Sequence, residues 1–237
     1  MKLAVMQPYF FPYLGYFDLI NQVDTWIVFD IVQFIRHGWI NRNRILHPKE
    51  GWQYVIVPVK NYSRDATIGD IEVASNDGKW QKRILGQLEH YKKTAPYYRD
   101  VINLVKEAIE PDEPSIARLN VRCLEAVCRV IGLPFEYSYM SEMDLELGEI
   151  REPDDWPVEI SRALGASEYV NPPGGGSFFQ PEKFTAANVK LNLRPLLTPL
   201  EYKPRGYEFV PHLSIIDLLM WNSPQQIKEH LEKHANE

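Results

Sequence analysis

Residues 2–30 restrict the fold more than any other stretch. The apolar run Lys2-Leu-Ala-Val-Met6 stops at Gln7-Pro8, because proline cannot donate to a sheet ladder. A loop from Pro8 to Tyr16 follows, then a short helical pattern through Asp18, Leu19, Ile20 and Val23, then the β-branched and aromatic run Thr25-Trp-Ile-Val-Phe-Asp30. Strand, loop, helix, strand is a βαβ unit. Its two strands run parallel, and its first loop falls at the carboxyl end of the sheet, where open α/β sheets bind ligands.

The rest of the chain extends this pattern. From about residue 38 to 75 the helical period disappears, and Trp52–Val59 and Ile68–Val73 read as short strands of an antiparallel insertion. Helices are expected over Gly78–Leu88, Tyr97–Ile109 and Ser115–Ile131, a helical segment at about 77–132 that is closed by Gly132 and Pro134. Phe135–Tyr139 alternates like a strand, and Val158–Leu164 is a helix ending at Gly165. Glu168–Asn171 and Val189–Leu193 supply further strands, and the tail from Ser214 is helical with a break at Asn222-Ser-Pro224. The expectation is a single α/β domain over 1–237, a parallel Rossmann-like sheet with flanking helices and a short antiparallel β insertion.

Composition narrows the function classes. Hydrophobic residues at 45% and charged residues at 24% suit a buried core. With 26 basic and 32 acidic residues the net charge is −6, which argues against a nucleic-acid partner held by phosphate neutralisation. No run of about 18 apolar residues is present, so no membrane insertion is expected and the expected location is the cytoplasm. Cys123 and Cys128 lack metal or redox spacing, the six histidines are scattered, and no metal site is expected.

Four segments carry the chemistry. The first is Gln7-Pro-Tyr-Phe-Phe-Pro-Tyr-Leu-Gly-Tyr16, in which Tyr13, Gly15 and Tyr16 have the spacing of the His-x-Gly-His element of adenylyl-transferring α/β enzymes, with tyrosine at both histidine places. Tyrosine donates a hydrogen bond but is never a cation, so binding by Gln7, Tyr9, Tyr13 and Tyr16 survives the replacement better than adenylyl transfer does. The second segment, Gln33 to Arg44, gathers Arg36, Arg42 and Arg44, whose guanidinium forks match phosphates and carboxylates. Arg42 and Arg44 share one face of an extended segment and Asn41 and Asn43 the other, while His37 beside them is a candidate general base. The third segment, Asn171-Pro-Pro-Gly-Gly-Gly-Ser177, places Gly174, Gly175 and Gly176 where backbone can approach a ligand, although the Lys-Ser/Thr of a Walker loop is absent. The fourth is His212-Leu-Ser-Ile-Ile-Asp217, in which Ser214 caps a helix and Asp217 suits its first turn, leaving His212 just outside as a second candidate base. Asp30, at the end of the second strand, can touch a ligand or be satisfied by backbone.

Taken in order, Gln7-Pro-Tyr-Phe-Phe-Pro-Tyr-Leu-Gly-Tyr-Phe-Asp18, Phe29-Asp-Ile-Val-Gln-Phe34, Trp39-Ile-Asn-Arg-Asn-Arg44, Tyr169-Val-Asn-Pro with Gly174-Gly175, and Pro211-His-Leu-Ser-Ile-Ile-Asp-Leu-Leu219 resemble the WbqC-like family over nearly the whole chain. That resemblance implies a place in bacterial O-antigen or related surface-polysaccharide pathways, with acyl or aminoacyl, including glycyl, transfer to an amino sugar. Two readings follow. One is an N-acyltransferase that joins an activated acyl group, on an unspecified carrier, to the amine of a nucleotide-linked amino sugar. The other is a noncatalytic sugar-nucleotide binding or scaffold protein. The sequence sets neither the acyl donor nor the oligomeric state.

Overall fold

The computed structural model of the chain describes residues 1–172, 174 and 178–235. Its centre is a five-stranded parallel sheet built from β1 (Lys2–Met6), β2 (Thr25–Val28), β5 (Tyr137–Tyr139), β6 (Glu168–Asn171) and β7 (Lys190–Leu193), in the order β5-β2-β1-β6-β7. The chain steps outward from β1 to β2 and β5, then returns to the other side of β1 for β6 and β7. The strand order therefore reverses between β1 and β6, which puts the topological switch point at the end of the first strand.

Alternation along the strands feeds two apolar layers. Leu3 and Val5 of β1, Ile27 of β2 and Tyr169 of β6 face one side, where they pack with Val158 and Ile160 of α5 (Asp155–Ala163) and Phe184 of α6 (Pro181–Ala186). Ala4, Trp26, Val28 and Val170 face the other, into the larger layer. That layer is formed by α1 (Leu14–Gln22), α2 (Lys79–Leu88), α3 (Tyr98–Ile109), α4 (Ile116–Ile131), α7 (Ile215–Trp221) and α8 (Pro224–Ala235). A sheet covered on both faces explains why its central strands β1 and β2 read as continuous apolar runs. The helix stops fall where expected: α4 is capped by Ser115, whose Oγ accepts from Arg118 N at 3.3 Å, and ends at Gly132 with φ +75°. Cys123 and Cys128 are buried in that helix, and burial pushes the Cys128 thiol up to about 12, so both act as small apolar side chains.

Two expectations need correction, and one helix was not expected. The antiparallel insertion is present and the expected strand at Trp52–Val59 forms as β4 (Trp52–Ile56), paired with β3 (Arg42–Leu46) in the register Arg42↔Ile56, Arg44↔Tyr54, Leu46↔Trp52, but Ile68–Val73 is not a strand. Ile68–Val73 is broken by a turn in which Thr67 N and Oγ1 both donate to Asp70 Oδ2, at 2.9 and 2.7 Å, and it makes isolated bridges from Val73 to Val59 and from Glu72 to Ser115. Helix α1 starts at Leu14, so Tyr16 is a helical residue rather than the end of the loop. The helix α6, opened by Pro181 at its first position, had no apolar period long enough to announce it.

Candidate functional site

The loop after β1 is held by side chains from three other elements. Asn43 of β3 donates from Nδ2 to the carbonyls of Phe10 and Phe11, at 3.0 and 3.1 Å, and Asn120 of α4 donates to Pro8 O at 2.8 Å and Ile40 O at 2.7 Å. Ser214 Oγ donates to Phe11 O at 2.7 Å, Ile215 N to Pro12 O at 2.9 Å, and the Tyr16 hydroxyl to Gln7 O at 2.7 Å. With its carbonyls taken and Phe10 and Phe11 fully buried beneath it, the loop is a fixed platform. Asn120 lay outside the expected segments, and Asn43, within the second of them, serves the platform rather than a ligand. The signal for Asn120 was an amide on the otherwise apolar face of α4, between Leu119 and Val121. Asn120→Ala removes two buried hydrogen bonds and frees the loop and the strand entry together, and should cost about 2 kcal/mol in a urea denaturation series.

On the platform Tyr9, Tyr13 and Tyr16 form a ring cluster, with centroid distances of 4.9 Å for Tyr9–Tyr16 and 6.4 Å for Tyr13–Tyr16. Burial raises all three phenols above their ordinary range, so at neutral pH they are hydrogen-bond donors and not anions. Gly15 is needed for the tyrosine beside it. A Cβ there would sit 2.4 Å from Cε2 of Tyr13, whose ring lies across the first turn of α1. The glycine makes room for an aromatic ring.

The cluster opens into a cavity of about 300 Å³ whose wall is completed by Trp39, Arg44, Leu196 and His212. The Arg44 guanidinium lies over the rings of Trp39 and Trp52, at 5.3 and 5.2 Å, and donates to His212 O at 3.2 Å. His212 is exposed, meets Tyr13 edge-on at 5.8 Å, and takes a left-handed backbone at φ +56°. A non-glycine residue in that conformation stores strain, a feature that clusters at functional sites. Ser214 caps α7 as expected, its Oγ accepting from Ile216 N at 3.2 Å. Asp217 lies in the first turn of α7 as expected, and its carboxylate also ties other elements together. It is completely buried and accepts from the hydroxyls of Tyr91 and Tyr202 and, at 3.4 Å, from Leu46 N.

The second arginine segment divides. Arg42 and Arg44 do share one face of β3, but Arg42 faces a separate groove of about 910 Å³, together with Arg36, His37 and Asn41. The Arg42 side chain lies over Tyr54 at 4.2 Å and donates back to the carbonyls of His37 and Gly38. His37 is exposed, with φ +65° and its Nδ1 3.5 Å from Arg42 Nη1. Asn41 is committed to the hairpin edge, donating to Val57 O at 2.9 Å. The two candidate histidines therefore stand in different cavities.

After β6, Asn171 is buried, donates to Pro172 O at 2.9 Å and accepts from the Tyr169 hydroxyl at 3.1 Å. Pro172 reaches the site, lining a narrow crevice with Tyr13, Gly15 and His212. Gly174 has open space around its Cα, while Gly175 and Gly176 lie outside the described residues. Asp30 stands apart. Its carboxylate accepts from Ser141 N and Oγ, at 3.0 and 2.5 Å, and its carbonyl from Gly69 N at 2.8 Å, which ties the end of β2 to the segment after β5.

Three carboxylates, Glu152, Asp154 and Asp155, gather on α5 and the turn before it, and Lys183 Nζ reaches all three at 2.6–2.7 Å. The lysine occupies the position a cation would take. No helix among the described residues is long and apolar enough to cross a membrane.

No solved structure matches this chain. A Mycobacterium tuberculosis protein, "Uncharacterized protein Rv1507c", is 28% identical over 220 residues, which cover 92% of both chains. A model of the WbqC-like protein family matches residues 7–229, from the platform loop into the first half of α8, so it includes every segment that builds the cavity. The chain belongs to the WbqC-like protein family.

Proposed function

We propose that the protein transfers an acyl or aminoacyl group, glycyl among the candidates, to the amine of a nucleotide-linked amino sugar in bacterial surface-polysaccharide (O-antigen) biosynthesis. One observation carries the reading: aromatic rings, a guanidinium and a histidine meet in one cavity beside the switch point of the sheet. Tyr9, Tyr13 and Trp39 offer flat apolar faces and phenolic donors to a sugar ring. Arg44 offers charge to the adjoining phosphate. A volume of about 300 Å³ is at the small end of ligand pockets and suits the sugar-phosphate portion.

In the step itself, the lone pair of the sugar amine attacks the acyl carbon and His212 takes the amine proton. The carrier then leaves with the electron pair of the broken acyl bond and recovers that proton from the imidazolium. The main-chain amide of Gly174, in the loop after β6, is the proposed donor to the developing oxyanion. The reading is tested by mass spectrometry of sugar nucleotides incubated with a set of acyl donors. A mass increase by one acyl group supports it. Sugar-nucleotide binding with no product from any donor replaces it with the noncatalytic binding protein. Arg44→Ala should weaken sugar-nucleotide binding roughly ten-fold or more by calorimetry, the loss of a charge-assisted contact of about 1.5–3 kcal/mol.

A further inference from the structure

Charge is distributed unevenly along this chain. Residues 31–64 hold six of its 26 basic residues (Arg36, Arg42, Arg44, Lys49, Lys60 and Arg64) and only one of its 32 acidic residues, Glu50. That stretch carries +5, and the remainder, with 20 basic and 31 acidic residues, carries −11. The positive charge is concentrated again in space, because Arg36, Arg42, Lys60 and Arg64 line the groove of about 910 Å³. Of these, Lys60 is paired with Glu72, and Arg42 is tied to backbone carbonyls and stacked on Tyr54. The side chains of Arg36 and Arg64 make no ion pair or hydrogen bond with the described residues. Two free guanidiniums beside two engaged cations cost self-repulsion that an anionic ligand would relieve.

The groove and the aromatic cavity share no lining residue. Arg42, held by His37 O, Gly38 O and the Tyr54 ring, stands on the strand face two residues before Arg44. A sugar diphosphate at Arg44 would leave four cations next door without a ligand. We propose that the groove is a second ligand site and takes the polyphosphate of a nucleotide-type small molecule. In terms of the proposed function, on which this part rests, that molecule is the phosphate-bearing carrier of the acyl donor. A volume near the upper end of small-molecule pockets fits a nucleotide, and Tyr62, Phe34 and Ile35 on the groove wall offer apolar surface to its base.

Calorimetric titration of the full chain with inorganic triphosphate, ATP and coenzyme A tests the site, with a twelve-nucleotide single-stranded RNA as a further arm. The expected result is binding of triphosphate and at least one of the two nucleotides, weakened ten-fold or more in Arg36→Ala/Arg64→Ala and unchanged in Arg44→Ala. Both replaced residues are exposed, so unchanged thermal unfolding is expected and confirms that the fold is intact. Three results overturn the inference: no binding of any of the three compounds, binding that is indifferent to Arg36→Ala/Arg64→Ala, or RNA binding more than a hundred-fold tighter than ATP. The last would make the groove an RNA surface instead. The two proposals fail separately. Triphosphate binding that depends on Arg36 and Arg64 upholds the groove even if no acylated sugar forms. Sugar-nucleotide binding that depends on Arg44 survives if the groove binds nothing.

Discussion

Asp217→Ala should lower the unfolding free energy by about 2–4 kcal/mol at pH 5, because the buried Tyr91 hydroxyl and the half-buried Tyr202 hydroxyl lose their acceptor at once, while Leu46 N keeps the Tyr91 hydroxyl oxygen at 3.0 Å. The Tyr91 hydroxyl and Leu46 N bond to Oδ1 and the Tyr202 hydroxyl to Oδ2, joining α7 to β3, to the segment after α2 and to the stretch before α7. A loss of that size is a large fraction of a typical 5–15 kcal/mol stability. The effect should also depend on pH. Burial holds the Asp217 carboxyl up at about 6, above its ordinary value of about 3.9, against the lowering effect of its three hydrogen bonds. The folded chain thus takes up this proton at a higher pH than the unfolded chain does. The contribution of this group to stability is complete below pH ~4, falls as pH rises from ~4 to ~6, and is constant above. The whole fall across that window amounts to about 3 kcal/mol. Relative to the wild type, Asp217→Ala should therefore be less damaging at pH 8 than at pH 5, and Asp217→Asn should lose the pH-dependent fall while keeping much of the shape. Urea denaturation at pH 4, 5, 6, 7 and 8 measures both. Parallel curves for the wild type and Asp217→Asn would refute the buried-carboxylate assignment.

Legibility in the sequence followed the range of the physics involved. Strands β1 and β2 were readable as short apolar runs closed by proline or aspartate, β5 by its alternation and β6 by the proline and glycine loop after it, and the long helices because their buried faces recur at helical spacing. The hairpin was half legible. Arg42 and Arg44 were placed on one face from period two alone, but the partner of their strand was not read, because Trp52–Ile56 and Ile68–Val73 look alike until the Thr67–Asp70 turn is known. Residues that act over long sequence separations stayed hidden. Asn120 reaches loops 112 and 80 residues away, and Asp217 reaches Tyr91 across 126, contacts that no local pattern encodes. The buried pair of His234 Nδ1 and Asp18 Oδ1, 2.9 Å apart and 216 residues distant in sequence, went unread for the same reason. Arginine clustering in the sequence suggested one anion site. The strand pleat put Arg42 and Arg44 on one face as expected, but the loops packed beside them made two cavities of it.

That division separates the two histidines, and His212→Gln should lower turnover by roughly 10²–10⁴-fold while His37→Gln leaves it near the wild-type rate. His212 lines the cavity with Arg44, Tyr9 and Tyr13, whereas the His37 ring stands against Arg42 in the groove. Glutamine keeps the size and one polar contact of the imidazole but cannot accept and release a proton at neutral pH, so sugar-nucleotide affinity should change little while the rate falls. The backbone supplies an independent check. At φ +56° His212 occupies a conformation that glycine adopts without steric cost, so His212→Gly should unfold no earlier than the wild type and still be inactive. Loss of activity with stability intact would mark a residue kept for chemistry at the expense of backbone strain. The decisive measurement is the rate of acylated-sugar formation for both glutamine variants and for His212→Gly, alongside their thermal unfolding. Full activity in His212→Gln would remove histidine from the proposed step at this cavity. A comparable loss in His37→Gln alone would move the base to the groove, next to the free guanidinium groups.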